Sequence, residues 1–357
     1  MKAFAYGDAA PHACSKKCCS LVSQLSEDLG RMSIVRTMYP DLLAQLEQRA
    51  FVDNVEASTH IEGLYPDAGR VAEIVAGADP VTDTEHQVAG LVAAQRMVEQ
   101  QTQELPVDTS TILAIHEHMF GYRGATKRSR YRKHDHMSML VDGTPQMVKV
   151  SPITAFETPL YLGSACDALA DVLARAKRTD PPGCETVLPI AQFAVDFLCI
   201  RPFDEGNGRV VRLFSDFLAL RSGIDIGRYV SLNRAFERDG MRYYECLNAC
   251  TEGWDTNTNT YDPFIEYWLE SAHAAYGQLF DMIEVAEGGA PSKAARVRTY
   301  FERHAGQHAK RDIVQANPDI SVSTIENALA DLVREGFLRK VGAGRGTAYE
   351  RCSDGGE

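Results

Sequence analysis

Apolar residues recur every three or four positions along most of the chain, which is the spacing of an amphipathic α-helix. Three such faces are marked by Val88, Leu91, Val92 and Met97, by Ile112, Ile115, His116 and Met119, and by Leu162, Leu169, Val172 and Leu173. Denser apolar runs over residues 187–200 and 211–220 predict two deeply buried helices. The first helices are expected within residues 44–62, followed by a turn-rich connection over residues 64–83. The pattern therefore predicts a mainly α fold.

The pattern changes between Met137 and Val150. Here Met139, Val141, Met147 and Val148 surround the turn sequence Asp142-Gly143-Thr144-Pro145. Two short extended segments joined by such a turn predict a β-hairpin. The hairpin is either an ordinary surface feature or an element that binds a partner.

A shift in composition marks a boundary near the C-terminus. Residues 287–291 read Glu-Gly-Gly-Ala-Pro, which is a linker composition. Before it, the sequence predicts a flexible leader over residues 1–20, an N-terminal helical region over residues 21–110 and a core domain over residues 111–286. After it, residues 292–351 are expected to form a second, smaller domain.

The second domain has three helical segments, at residues 292–304, 310–315 and 321–334, followed by two extended segments. This order resembles a winged helix-turn-helix, with residues 323–332 as its recognition helix and Arg345 as its wing tip. Its many lysines and arginines favour DNA, whereas Glu326 and Asp331 repel phosphates. DNA contact and a protein-docking or dimerising role therefore both remain open.

Composition narrows the class of protein. A chain of 357 residues, 45% of them hydrophobic, can bury a sizeable core in two or three domains. Its net charge of -12 argues against a nucleic-acid binder that uses its whole surface. No apolar run reaches the roughly 18 to 20 residues of a membrane span, and residues 1–20 have no apolar signal core. We therefore expect a cytoplasmic protein without membrane contacts, in which the nine cysteines are mostly reduced thiols.

Three groups of metal-ligating residue types occur outside the main motif. They are Cys14, Cys18 and Cys19 near His12, and the triplets His116-Glu117-His118 and His134-Asp135-His136. The cysteine spacing fits no standard zinc module, and histidines two apart on a helix point in different directions. We therefore expect a flexible tail in the first case and structural or surface residues in the others.

Residues 200–212 carry the strongest chemical signal. Gly206 and Gly208 flank Asn207, and this lets the backbone approach a phosphate closely. Successive N–H groups that enter a helix favour negative charge at the same point. The turn therefore predicts an anion cradle.

Charged residues around this turn suit a nucleotide. Arg209 and Arg212 are three apart, so both lie on one helical face, where a guanidinium group can grip phosphate oxygens. Glu205, just before the turn, is a hard oxygen ligand suited to the Mg2+ that accompanies a nucleotide phosphate. The alternative is an ordinary helix start whose arginines pair with surface acids.

As a whole, residues 201–212 resemble the signature of the Fic (Fido) family, His-Pro-Phe-x-Asp/Glu-Gly-Asn-Gly-Arg-x-x-Arg. The resemblance implies a Fic-fold helical bundle that binds ATP with Mg2+ and transfers AMP to a hydroxyl of a target protein. The hairpin, which follows Tyr131-Arg132, would be the flap on which the target docks. Tyr244 would contact the adenine, or is a buried structural tyrosine.

One signature position departs from the family, because Arg201 stands where the family has its general-base histidine. Arginine stays protonated, with a pKa above about 12, and cannot accept the proton of the target hydroxyl. Loss of a general base typically removes about 10²- to 10⁴-fold in rate. His134 or His136 would have to substitute. An engineered Arg201 would restore the ordinary AMPylator interpretation.

A second motif lies far upstream. Ser58-Thr59-His60-Ile61-Glu62-Gly63 resembles the Ser/Thr-x-x-x-Glu-Gly/Asn inhibitory motif that some Fic proteins carry before the core. The resemblance implies that Glu62 reaches Arg212 and occupies the space of the ATP γ-phosphate. Alternatively, Ser58 caps a helix and Glu62 is a solvated acid.

The sequence thus supports two hypotheses. The first is an autoinhibited relative of the protein adenylyltransferases, with catalysis impaired or altered by Arg201. The second is a non-catalytic switch that senses nucleotide and acts through DNA or protein binding by the C-terminal domain. In the second, Arg201 is a phosphate ligand or an ion-pair partner of Glu205 or Glu62. The target, the transferred group and the oligomeric state, including a homodimer, are left open.

Overall fold

The computed structural model describes residues 2–6, 15–121, 131–135, 153–176, 184–286, 293–304, 306–317, 320–342 and 347–352. The chain divides into two compact units, residues 1–276 and 277–357. The predicted linker at residues 287–291 lies outside the described residues. So do residues 137–150, where the hairpin was predicted.

The first unit is helical, as the apolar periodicity predicted. The described helices that begin in this unit are, in chain order, α1 (Lys16–Met38), α2 (Pro40–Ile61), α3 (Arg70–Val75), α4 (Asp83–Gln100), α5 (Thr109–Phe120), α6 (Thr158–Arg175), α7 (Cys184–Ile200), α8 (Asn207–Arg221), α9 (Leu232–Arg238), α10 (Gly240–Ala249) and α11 (Asp262–Ala286), the last of which runs past residue 276. A short 3-10 helix, Ile226–Arg228, precedes α9.

The core of this unit lies around α7 and α8, which pack against each other. The α7 helix is largely apolar and most of α8 is buried, and Phe193, Phe197, Phe214 and Phe217 are fully buried where they meet. A helix without a polar face has to be surrounded by other elements, and here α6 packs on α7 while α4 and α5 pack on α8. The loop between α7 and α8 is therefore held from both sides by buried helices.

The α4 and α5 helices approach each other unusually closely. A Cβ atom on Gly90 of α4 would lie only 2.0 Å from the carbonyl oxygen of Met119 in α5. Glycine is required at such a crossing because any side chain would push the helices apart. This contact positions the end of α5, including Phe120, beside the loop that precedes α8.

The N-terminus differs from the predicted flexible leader over residues 1–20. The α1 helix begins at Lys16, where the hydroxyl of Ser15 accepts a hydrogen bond from the N–H of Cys18. Farther upstream, the Tyr6 hydroxyl donates a hydrogen bond of 2.8 Å to Asp196, a fully buried carboxyl group on α7. Burial raises the pKa of Asp196, and donors that favour its ionised form oppose this. The first residues are held because this buried carboxyl group needs hydrogen-bond donors.

The second unit contains three further helices and a small antiparallel sheet. They are α12 (Lys293–Arg303), β1 (Gln307–Ala309), α13 (Lys310–Ala316), α14 (Val322–Arg334), β2 (Leu338–Val341) and β3 (Ala348–Arg351), with strand order β1-β3-β2. Val297, Phe301, Ile325, Leu329 and Leu332 lie in its hydrophobic core. The helices and the β2–β3 pair follow the sequence pattern, whereas β1 was not predicted. Arg345, the predicted wing tip, lies outside the described residues.

Candidate functional site

The loop between α7 and α8 is closed by its own asparagine. The side-chain oxygen of Asn207 accepts a hydrogen bond of 3.0 Å from the N–H of Phe203, and its side-chain nitrogen donates one of 2.8 Å to the carbonyl of Phe203. The Phe203 ring is fully buried and stacks on His116 of α5 at 3.9 Å. The loop is thus shaped by local hydrogen bonds and anchored by an aromatic side chain.

Gly206 gives the start of α8 its shape. Its φ of 76° lies in the left-handed region that favours glycine. A Cβ atom at this position would also lie 2.7 Å from the ring of Phe120. The turn therefore tolerates no side chain, and the N-terminal N–H groups of the 15-residue α8 follow directly after it.

The two predicted phosphate-binding arginines are both buried, but their guanidinium groups have different neighbours. Arg209 is 4% exposed, and its guanidinium lies 5.4 Å from the centre of the Phe120 ring. Arg212 is 5% exposed and reaches α2. Arg212 is therefore a buried arginine that reaches a neighbouring helix.

Arg212 makes three hydrogen bonds to the predicted inhibitory motif. Its Nε donates to the hydroxyl of Ser58 at 3.1 Å, and its Nη2 donates to the Ser58 carbonyl and to Oε1 of Glu62, each at 2.9 Å. Burial opposes the charged form of Arg212, but the Glu62 carboxylate raises its pKa above the usual range. Arg212 is therefore a buried cation whose salt bridge reaches a partly exposed carboxylate.

The positions of Ser58 and Glu62 in α2 explain this contact. Ser58 is 3% exposed and lies in the last turn of α2, so it does not cap the start of a helix. Glu62 is the residue at which α2 ends, and Gly63 leaves the helix with a φ of 75°. Ser58 and Glu62 are four apart and so lie on one helical face.

The Glu62 carboxylate also lies against the start of α8. A Cβ atom on Gly208 would be 2.2 Å from Oε1 of Glu62 and 3.1 Å from Nη1 of Arg212. Gly208 leaves the space that the carboxylate fills. Glu62 therefore occupies the position beside the helix start where the sequence predicts an anion.

Ion pairs and hydrogen bonds between α2 and α9, here called the polar seam, hold the two helices together. The sequence did not predict these contacts. Arg234 forms ion pairs with Asp53 at 3.2 Å and with Glu56, both on α2. His60 Nδ1 lies 2.6 Å from Glu237 of α9. The available signal was the helical spacing of Asp53, Glu56 and His60 along α2, but only the fold shows that α2 and α9 meet. This seam fixes the end of α2, and so fixes Glu62.

Arg201 has an uncommon backbone conformation. Its φ is 47°, in the left-handed region that few residues other than glycine adopt. Its N–H still bonds to the carbonyl of Phe197 at 2.8 Å, at the end of α7. Pro202 follows, and a residue before proline is disfavoured from continuing a right-handed helix. Arg201 is thus the residue at which the chain leaves α7.

The side chain of Arg201 is half-buried. Its Nε is fully covered and has no hydrogen-bond partner among the described residues. Burial lowers the pKa of Arg201, and the neighbouring Glu62 carboxylate opposes this shift. The group stays a cation, so it is no proton acceptor.

Arg132 fastens the backbone around Arg201. Its Nε donates to the Arg201 carbonyl at 3.0 Å, and its own N–H donates to the Pro202 carbonyl at 2.9 Å. Its terminal nitrogens bond to the carbonyls of His134, at 3.0 Å, and of Ile153. These two residues lie on either side of residues 136–152, which are outside the described residues. One buried arginine therefore joins the signature loop to both ends of the segment where the flap was predicted.

Comparison with known proteins bears on this arrangement. Over residues 106–219, the sequence matches the Fic/DOC family. These residues are a Fic/DOC family domain. The predicted family resemblance is confirmed, and so is the mainly α fold. No curated protein matches the chain.

Solved Fic structures share the fold. A Fic family protein from Desulfovibrio desulfuricans G20 is 18% identical with a TM-score of 0.61, and the match covers 98% of this chain and 99% of that one. A Fic domain containing signaling protein from Bacteroides thetaiotaomicron is 17% identical with a TM-score of 0.55, covering 77% and 99%. Fic-1 from C. elegans is 19% identical with a TM-score of 0.51, covering 76% and 73%.

Two further predicted site residues, Glu205 and Tyr244, lie near the loop and near the end of α2. Glu205 is exposed at the end of the loop. The Tyr244 hydroxyl donates to the carbonyl of Ile61 at 3.2 Å, next to Glu62, and burial raises its pKa. Within the described ranges, no three His, Cys, Asp or Glu residues are grouped so as to hold a metal ion. Of the predicted cysteine and histidine groups, His12, Cys14 and His136 lie outside these ranges.

A separate open cleft of about 1120 Å3 lies elsewhere in the first unit. It is bounded by α1, the end of α4 and the end of α8, and its lining includes Arg36, Glu99, Arg221 and Asp225. Arg36 and Asp225 already pair with each other at 2.8 Å. None of the signature residues lines this cleft, so its size does not make it the Fic site. In the part of the chain that the structure describes, no helix is long and apolar enough to cross a membrane.

Proposed function

We propose that this protein binds Mg-ATP at the start of α8, is autoinhibited through Glu62, and is a relative of protein adenylyltransferases with impaired or altered catalysis. The observation that carries the proposal is the pairing of Glu62 with Arg212 across the Gly206-Asn207-Gly208 turn. It joins the two motifs that resemble the Fic signature and the Fic inhibitory motif, although they lie 150 positions apart.

The residues around the turn fit a nucleotide phosphate chain. Gly206 and Gly208 leave no side chain over the first N–H groups of α8. Arg209 and Arg212 supply the cations, and Arg212 is held ready by Ser58. Glu205 is exposed and would hold Mg2+ together with phosphate oxygens. Tyr244, beside the end of α2, would bound the site for the base.

The inhibitory role of Glu62 follows from competition for Arg212. A nucleotide phosphate and the Glu62 carboxylate are both anions, and both would pair with this buried guanidinium and lie beside Gly208. Bound phosphate therefore requires that Glu62 move away or that the phosphate take a displaced position. Because α9 holds α2 through the contacts of Arg234 with Asp53 and of Glu237 with His60, movement of the end of α2 has to overcome these contacts.

A target hydroxyl would lose its proton and attack the α-phosphate of bound ATP, so that AMP is transferred to the hydroxyl oxygen and pyrophosphate leaves. The signature position next to this reaction carries a cation, Arg201, which cannot take the hydroxyl proton. Positioning and electrostatic stabilisation by Arg209 and Arg212 do not need a base, so slow transfer is retained. A histidine would have to substitute as the base, and His134 is the described histidine nearest in sequence to the predicted flap. A target protein would dock at residues 137–150, by the family resemblance.

A second candidate function is a nucleotide-sensing switch without transfer. This candidate is favoured because Arg201 replaces the one residue of the Fic signature that accepts a proton, whereas the other fixed residues of the signature are present. Its output would lie in residues 292–351, whose three helices and three-stranded antiparallel sheet fit a winged helix. On α14, Glu326 pairs with Lys310 and Asp331 with Arg334, which lessens the repulsion of DNA phosphates. DNA binding and protein docking are both proposals for this unit, and so is a homodimer.

Intact mass spectrometry separates the two candidates. The Glu62→Gly protein, with Arg201 in place, is incubated with ATP and Mg2+ beside the matched Glu62→Gly/Arg201→His protein. An added AMP on both proteins supports an active transferase. An added AMP on the histidine variant alone supports a nucleotide-binding switch. Labelling of neither protein would contradict the transferase ancestry of the site.

A further inference from the structure

Arg201 carries an unmet hydrogen-bonding need. Its Nε is fully covered yet lacks a hydrogen-bond partner among the described residues. A buried donor of this kind is costly, and a charged donor more so. A side chain that only filled space would leave this cost uncompensated. No acceptor among the described residues meets this donor, so the guanidinium group has hydrogen-bonding capacity left for a ligand.

The backbone makes this cation rigid. Arg201 lies in the left-handed region, which costs free energy for a residue with a Cβ atom. Arg132 holds both the Arg201 and the Pro202 carbonyls, and Arg132 is itself 4% exposed. Strain that the surroundings impose in this way clusters at sites that bind or react. The backbone of Arg201, from which the side chain extends, is therefore held in place just before the turn that leads into α8.

Two arginines, Arg201 and Arg212, share the Glu62 carboxylate as a neighbour. Arg201 interacts with the carboxylate of Glu62, but that carboxylate already pairs with Arg212 at 2.9 Å. Arg201 also lies close enough to Arg132 for the two charges to disfavour each other. When Glu62 leaves, both Arg201 and Arg212 lose their neighbouring carboxylate. Such a pocket attracts an anion with several charged oxygens.

We propose that Arg201 is a phosphate ligand, so that the position which would remove a proton in a transferase instead grips the phosphate chain of the bound nucleotide. This inference rests on the proposed nucleotide binding. The two arginines then hold the phosphates from both sides of the turn, Arg201 from the end of α7 and Arg212 from α8. The consequence is a site that retains its nucleotide and discriminates strongly against ligands without phosphate.

The test measures affinity against the number of phosphates. Calorimetric titrations of ATP, ADP and adenosine, each with Mg2+, are made on the Glu62→Gly protein and on the Glu62→Gly/Arg201→Asn protein. Asparagine tolerates the left-handed backbone, so this variant removes the cation with little strain. We expect the asparagine variant to lose about 10- to 100-fold in affinity for ATP and ADP, with adenosine unchanged. The matched Arg201→Lys variant, which keeps a cation, should recover part of the loss.

The outcomes separate this inference from the proposed function. Equal ATP affinity with and without Arg201 would overturn the phosphate-ligand assignment and leave nucleotide binding intact. Absence of ATP binding by the Glu62→Gly protein would overturn both. A parallel loss for adenosine would mean that Arg201 only shapes the pocket, which also overturns the assignment. Thermal unfolding of each variant, with Arg201→Gly as a second neutral variant suited to positive φ, shows whether the fold is retained.

Discussion

A Cβ atom on Gly208 would lie 2.2 Å from Oε1 of Glu62, although the two residues come from helices far apart in the sequence. The start of α8 and the end of α2 are therefore fitted to each other with no room for one added carbon atom. The fit ties the Glu62 carboxylate, the proposed inhibitory group, to the turn that is proposed to hold phosphate. It also makes the contact open to measurement through a small substitution.

Gly208→Ala should displace Glu62 from Arg212. The Glu62 side chain is flexible and can swing away, which leaves a buried arginine with less compensation and costs about 1 to 3 kcal/mol of unfolding free energy. In the Glu62→Gly protein, the same substitution meets no carboxylate and should cost much less. A double-mutant cycle from urea unfolding should therefore give a coupling of at least about 0.5 kcal/mol. Additive effects of the two substitutions would argue against the contact.

Arg132→Lys should destabilise the first unit by about 2 to 3 kcal/mol. Lysine has no planar fork and cannot serve the carbonyls of Arg201, His134 and Ile153 together, so buried acceptors are left unsatisfied. Thermal unfolding measures the effect. The matched control is Arg49→Lys, because the Arg49 side chain is 79% exposed. An Arg132→Lys protein as stable as the control would contradict the clamp.

Asp216, one turn after Arg212 on α8, should make stability depend on pH. Burial and the nearby Glu99 raise its pKa from 3.8 to about 7, and Arg212 partly opposes the shift. The folded state thus binds a proton that the unfolded state releases, so this contribution to stability is complete below about pH 4 and is lost as pH rises through 7. The free energy of unfolding of the native protein relative to Asp216→Asn should fall by on the order of 2 kcal/mol between pH 5 and pH 8.

The comparison with Asp216→Asn removes the pH dependence of every other group. Asp255→Asn, at an exposed position in a loop, serves as the matched surface control. A difference between native protein and Asp216→Asn that stays constant from pH 5 to pH 8 would contradict the raised pKa.

Much of the fold follows from local sequence patterns. The buried helices α7 and α8 and the turn between them were predicted, because apolar density and paired glycines act over neighbouring residues. The α14 helix was predicted for the same reason, and Ser321 caps its start. The α1 helix was missed although Leu21, Leu25 and Met32 have helical spacing, since a basic, cysteine-rich start masked the pattern.

The candidate site depends more on contacts between distant residues. The pairing of Glu62 with Arg212 was expected only because both motifs resembled one family. The roles of Arg132, Arg234 and Tyr6 were not predicted, because each acts on a helix or loop that the sequence does not reveal as a neighbour. The left-handed backbone of Arg201 had one local signal, the proline that follows it.

The most direct test of the account is the affinity for Mg-ATP of the native protein and of the Glu62→Gly protein, measured by calorimetry. Glu62→Gln is the matched control, because it keeps the bulk and the hydrogen-bonding reach of the side chain but removes its charge. We predict that the Glu62→Gly protein binds Mg-ATP at least about tenfold more tightly than the native protein, because the nucleotide phosphate no longer has to compete with the Glu62 carboxylate for Arg212. Equal affinity of the two proteins would contradict the claim that Glu62 guards a nucleotide site at the start of α8.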